Sequence, residues 1–164
     1  MKYDYSSIGF ITFDCLGWPF VKMPEGGGTY LVEDFALAVS GAAGTAAIAA
    51  AKMGLSVQAV GGVGSDLMGD WVRRRLQDFE VNTDFLQTID KGRTSSSIVT
   101  TRADGSRPVL HLNGATGEFF VDEKFLHSGR MRLHFRPCGF ERLIHGTEDV
   151  QSAFTCLLEG FPHG

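Results

Sequence analysis

Three stretches of this chain carry residues whose types and spacing could do chemistry. Asp14 closes a short apolar run, Ile8 to Phe13. Ser40-Gly41 opens a helix of very small side chains that runs to Lys52-Met53-Gly54. Thr94 to Thr101 and Pro108 to Leu112 flank an Asp104-Gly105 turn and are dense in hydroxyl groups, with His111 on the return. A carboxylate at the C-terminal end of a buried strand stands at the edge where open α/β sheets bind ligands. The same residue also serves as a turn or cap. A thin, alanine-rich helix packs close to neighbouring backbone, and its first N–H groups can face a polar ligand. It is equally the pattern of a buried helix with a glycine turn before it.

The elements that must position these groups follow from pattern. Ile8 to Phe13 reads as a buried first strand that delivers Asp14 to its end. Pro24-Glu25-Gly26-Gly27-Gly28 is a loop, and Thr29 to Val39 reads as one or two short strands. Gly54 is a natural stop for the thin helix. Ser56 to Gly61 reads as a second buried strand. Ser65 or Asp66 can cap the next helix, in which Met68, Trp71, Val72, Leu76 and Phe79 recur at helical spacing. Strand and helix in this alternation indicate an α/β fold with a partly parallel sheet. Val81 to Ile89 reads as a loop with a short strand. The Asp-Gly turn predicts a hairpin, with Pro108 at a strand start. One of its faces presents Ser97, Val99 and Thr101, the other Ser96, Ile98 and Thr100. Such polar alternation suits a sheet on the surface or over a ligand.

Composition narrows the function classes. The chain has 164 residues, enough for one domain with a real core, and a formal net charge of −4. The basic run Arg73-Arg74-Arg75 sits in a helical pattern and reads as a solvated face, so no nucleic-acid partner is expected. Three cysteines, Cys15, Cys138 and Cys156, argue against a disulfide scaffold and for a reducing cytoplasm. No signal-peptide pattern and no membrane-length apolar run is present. Gly62-x-Gly64 is followed by Leu67 where a dinucleotide loop places its third glycine, so a nicotinamide site is excluded. His134, Cys138, His145 and Cys156 match no compact ligand spacing, and no metal site is expected.

In order and spacing these features resemble the ribokinase-like (PfkB) family of carbohydrate and nucleoside kinases. The resemblance covers Tyr3 to Phe120. It rests on Asp14, the glycine turn before the helix ending Lys-Met-Gly, and Val60-Gly-Gly-Val-Gly-Ser-Asp-Leu-Met-Gly-Asp70. It continues through the Thr-Ser-Ser-Ser strand and Asp104-Gly-Ser-Arg107 into Asn113-Gly-Ala115. The resemblance implies a three-layer α/β/α sandwich with a small β-sheet lid, drawn here from segments 18–39 and 94–113. It implies ATP-dependent phosphorylation of a sugar hydroxyl, with ATP and Mg2+ as cofactors, and a possible homodimer through the lid sheet. Asp14 would accept hydrogen bonds from sugar hydroxyls, and Gly41 would lie where backbone approaches the sugar. Thr45 stands where the family usually has Asn, which removes an amide donor but leaves a hydroxyl. Ser97, Val99 and His111 fall at lid positions that look toward the sugar.

The family's catalytic base is an Asp in a Gly-Ala-Gly-Asp segment that opens a later helix, whose amides form the anion hole. No segment after Phe120 matches it. Residues 1–126 therefore read as the substrate-binding part of the kinase domain. Residues 127–164 read as an atypical tail, truncated or shifted in frame. The expected chain is then a sugar-side portion without the base segment. The alternative is a non-catalytic module that binds a sugar, or a partner through its lid.

Overall fold

The computed structural model describes residues 3–22 and 26–119, which form two sheets joined by short crossings. The first sheet is parallel and has the order β1 (Tyr5–Ile8), β4 (Val57–Gly64), β5 (Asn82–Ile89). The second has the order β3 (Asp34–Ser40), β2 (Thr12–Trp18), β6 (Ser96–Thr100), β7 (Val109–Leu112). Here β2 pairs antiparallel with β3 and parallel with β6, and β7 returns antiparallel on β6. Helix α1 (Gly41–Lys52) links β3 to β4, and α2 (Leu67–Asp78) links β4 to β5. A short 3-10 turn, Ala115–Gly117, follows β7.

The core lies between the first sheet and its helices. Every residue of β4 is buried, as befits a central parallel strand covered on both faces. Val57, Ala59 and Val63 meet Ala43, Ala47 and Ala50 of α1 and Val72 and Leu76 of α2. The alanines let α1 come close to the sheet, so the small side chains are a packing requirement. Its end matches the glycine stop: the Gly54 amide donates to Ala51 O and Leu55 to Ala50 O. Asp66 caps α2 by accepting from the Gly69 amide at 2.9 Å. Val60 and Phe119 form a smaller cluster with Ile8, Phe10 and Phe85.

Two elements differ from the sequence reading. The apolar run Ile8–Phe13 is not one strand. The chain leaves the first sheet after Ile8, turns through Gly9-Phe10-Ile11, and joins the second sheet at Thr12. Asp14 is therefore the third residue of β2, not the end of a first strand. Ile11, fully buried, fills the space between the sheets and so keeps the run apolar across the break. Asn82 to Ile89 is a full strand of eight residues, where a loop with a short strand was expected. The tail, with the four His and Cys residues weighed as metal ligands, lies outside the described residues.

Candidate functional site

Pairing register brings the candidate residues together. Asp14 stands opposite Ala38 of β3 on one side and Ser97 of β6 on the other. Ser97 in turn stands opposite His111 of β7. Registered partners share a face, so Ala38, Asp14, Ser97 and His111 form one row across all four strands. The neighbouring row on that face is Ala36, Leu16, Val99 and Val109. Asp14, Ser97 and Val99 are each 9% exposed, whereas His111 is exposed.

Hydrogen bonds fix this row. The Thr12 hydroxyl donates to Asp14 Oδ1 at 3.0 Å. Ser97 Oγ and His111 Nδ1 lie 3.1 Å apart. Asp14 Oδ2 accepts no hydrogen bond from the described residues. Oδ2 is not among the buried atoms left without a partner, so it stays within reach of solvent, and a ligand hydroxyl could take the place of water there. The row can therefore accept hydrogen bonds at Asp14 and exchange them at Ser97 and His111, while Val99 and Leu16 supply an apolar floor.

Gly41 and Thr45 lie elsewhere, at the start of α1. They line an open groove of about 770 Å³ with Tyr5, Ser7, Ala46 and Ala49. Gly41 has φ +75°, and a Cβ there would come 2.4 Å from Phe10 O. The same carbonyl accepts from Ala43 N at 2.9 Å and Gly44 N at 3.3 Å. Two of the first N–H groups of α1, expected to be open to a ligand, are thus taken by the chain's own β1–β2 crossing. Thr45 is exposed on the groove wall. Of the six candidate residues, Ser97 and His111 border a second depression, of about 500 Å³, with Phe13, Cys15, Met68 and Ile98. Asp14 and Val99 line neither hollow.

The sequence reading missed one polar centre. Asp66 does more than cap α2: its carboxylate also receives the Thr94 amide at 3.0 Å and the Thr94 hydroxyl at 2.6 Å. Burial pushes this carboxyl up. The Thr94 and Gly69 hydrogen bonds and the Arg93 charge outweigh burial and hold it below its ordinary value. The sequence signal was a Thr-Ser pair at the start of a strand, which by itself points to no partner.

The profile of the pfkB family carbohydrate kinases matches residues 13–132. The chain belongs to the pfkB family of carbohydrate kinases. Among curated relatives it is 27% identical over 115 residues to the Arabidopsis thaliana protein named Probable fructokinase-6, chloroplastic. That match covers 63% of this chain and 30% of the relative. Among solved structures, the fructokinase of Xylella fastidiosa is 27% identical with a TM-score of 0.57, over 71% of this chain and 34% of that one. The Arabidopsis thaliana ribokinase complexed with ribose and ATP gives 21% identity and a TM-score of 0.60, over 70% and 37%. The PfkB protein of Polaromonas sp. JS666 gives 20% and 0.63, over 77% and 42%. This pfkB chain thus has the ribokinase-like α/β fold and spans well under half the length of these relatives.

Two solved ribokinases that this chain resembles in fold hold ATP or ADP, and such a nucleotide needs a phosphate cradle. Among the described residues the Gly61–Asp66 segment, the end of β4 and the turn into α2, comes nearest in composition, but it is filled from inside. Its Gly64 amide donates to the Thr94 hydroxyl, and its carboxylate is an anion already surrounded by donors. It does not fit a triphosphate. No described helix is long and apolar enough to cross a membrane.

Proposed function

We propose that this chain binds a sugar on the Asp14 face of the second sheet, which acts as a lid. It would do so as the substrate-binding part of an ATP-dependent carbohydrate kinase. The observation that carries the reading is the row Asp14, Ser97, His111 on adjacent strands, with Asp14 Oδ2 open. Vicinal sugar hydroxyls donate to a carboxylate as charge-assisted bonds, which are shorter and stronger than neutral ones. Ser97 and His111 offer an acceptor or donor one strand further on, and Val99 meets the apolar C–H edge of the ring. Gly41 and Thr45 would meet the sugar once the lid row lies over the start of α1. This is binding and orientation, the larger part of what phosphoryl transfer asks of a protein. The base, the anion hole, ATP and Mg2+ would belong to a complete kinase, since no described residue provides their cradle.

Isothermal titration of the chain with D-fructose and D-ribose, each without ATP, tests this. The wild type should bind one of them, and Asp14→Asn should weaken that binding at least about tenfold, or roughly 1.4 kcal/mol. Equal affinity in the variant, or no binding of any sugar by the wild type, overturns the reading.

A second observation favours pairing of two copies through the lid. The face opposite Asp14 carries Phe35, Leu37, Ile98, Leu110 and Leu112, from 45% to 64% exposed. Register places them together, since Leu37 and Ile98 both stand opposite Cys15 and Leu110 stands opposite Ile98. A continuous apolar sheet face of this kind marks an association surface. Ile98→Glu should shift the chain from dimer to monomer in sedimentation equilibrium; a monomeric wild type refutes the pairing.

A further inference from the structure

The two sheets are joined at a small polar knot that the sugar site does not use. Thr94, Ser95, Thr116 and Ile11 meet there, all fully buried. Asp66 Oδ1 and Oδ2 take the Thr94 hydroxyl and amide. The Thr94 hydroxyl accepts from Gly64 N at 3.0 Å. Ser95 Oγ accepts from Gly114 N at 3.0 Å and Thr116 N at 3.2 Å. The Thr116 hydroxyl donates to Ile11 O at 3.2 Å, and Phe13 N donates to Ser95 O at 2.9 Å. The knot thus binds the start of β6, the exit of β7 and the β1–β2 crossing to the turn that opens α2.

The fit is tight on every side. A Cβ at Gly64 would lie 2.4 Å from Gly92 O and 2.5 Å from Thr94 N. One at Gly114 would lie 2.2 Å from Arg93 O. Backbone therefore packs on backbone around Arg93-Thr94-Ser95, with no space for a side chain at Gly64 or Gly114, and the hydrogen bonds to Asp66 tie that segment to the start of α2.

We infer that Asp66, acting through Thr94, is a positioning residue that sets how the second sheet stands on the first. It thereby sets where Ser97 and His111 lie relative to Gly41 and Thr45. The consequence for ligand binding rests on the proposed sugar reading, but the clamp itself does not. Asp66 holds three donors at once, one from its own helix and two from a strand start 28 residues later. A helix cap needs only the first. The other two hold the root of the lid.

Amide hydrogen exchange read by mass spectrometry on the full chain tests the clamp without any sugar. Asp66→Asn keeps an acceptor for Gly69 and loses one for Thr94. Thr94→Val keeps the shape and removes the hydroxyl alone, which leaves the cap intact should the first variant fold poorly. In both, exchange across β6 and β7 should rise about tenfold or more while β1 and residues 57–63 of β4 keep wild-type protection; the Gly64 amide, itself bonded to the Thr94 hydroxyl, is left out of the comparison. Thr94→Ser, which restores a hydroxyl, should return β6 and β7 toward wild type. Rates that rise equally in both sheets, or that do not change, overturn the inference. A confined rise in a chain that binds no sugar upholds the clamp and separates it from the failure of the sugar reading. If the wild type binds sugar, Thr94→Val should weaken that binding severalfold, and unchanged affinity overturns the positioning role.

Discussion

Replacing Gly41 by alanine isolates how the crossing between the sheets is built. At φ +75° an L residue pays about 1 kcal/mol or more for the left-handed conformation. The new methyl carbon would also lie 2.4 Å from Phe10 O, and backbone, not a flexible side chain, must give way. Moving that carbonyl weakens its bonds from Ala43 N and Gly44 N, each worth about 0.5–1.5 kcal/mol. The sum is about 2–4 kcal/mol, a large share of a stability of about 5–15 kcal/mol for an ordinary domain. Urea unfolding followed by circular dichroism should show a lower midpoint at unchanged slope. Gly27→Ala is the control, because nothing lies within 4 Å of a Cβ there. It should change stability by less than about 0.5 kcal/mol. A Gly41→Ala protein within that same margin of wild type would refute the account of the crossing.

Other expectations follow from single contacts. Leu76 is fully buried between α2 and the first sheet, so Leu76→Ala should cost about 2–5 kcal/mol in the same unfolding assay. Arg73 donates to Thr83 O at 3.1 Å and Leu86 O at 2.7 Å, and Arg73→Met should cost about 1–3 kcal/mol. The exposed Arg75–Asp78 pair, at 3.3 Å, is the contrast: Asp78→Ala should shift stability by less than about 1 kcal/mol. Because the folded Asp66 carboxyl lies below its ordinary value, its contribution is complete above that ordinary value. It is lost as pH falls through the lower, folded one. Exchange of the β6 and β7 amides, corrected for intrinsic rates, should therefore rise in acid before that of β4; a simultaneous rise would refute this.

Much of the fold was legible because each signal was local. The spacing of Met68, Trp71, Val72, Leu76 and Phe79 gave α2 to within a residue or two, and of the two cap candidates, Ser65 and Asp66, the structure uses Asp66. Gly54 stopped α1, and Asp104-Gly105 gave the hairpin that closes β6 on β7. The alternation of Ser97 and Val99 against Ile98 was correct for burial. What stayed hidden was non-local. Ile8 to Phe13 changes sheets at Phe10, and no change of hydropathy marks it because Ile11 is buried in the core. Asn82 and Asp84 look like loop residues, yet they bond one another on a strand that Arg73 supports from α2. For the site, Asp14 was found as a lone carboxylate, but its place beside Ser97 is a matter of register across more than half the described chain. The bond from Thr94 to Asp66 left no mark in either segment's own pattern.

The interleaving of strands also sets the order in which the molecule can form. The second sheet has β2 at its centre, with β3 on one side and β6 on the other. As the chain leaves the ribosome, β2 and β3 can pair early, but β2 must wait for β6 and its half of the polar knot. Until then β2 and β3 stand as a two-stranded ribbon, which is marginal in water. Contacts so distant in sequence make for slow folding and a long exposure of apolar surface. The alanine-rich helix between β3 and β4 then has a second value: it forms quickly and locally. It gives the nascent chain a first layer on which the parallel strands can gather while the late partners are still being made.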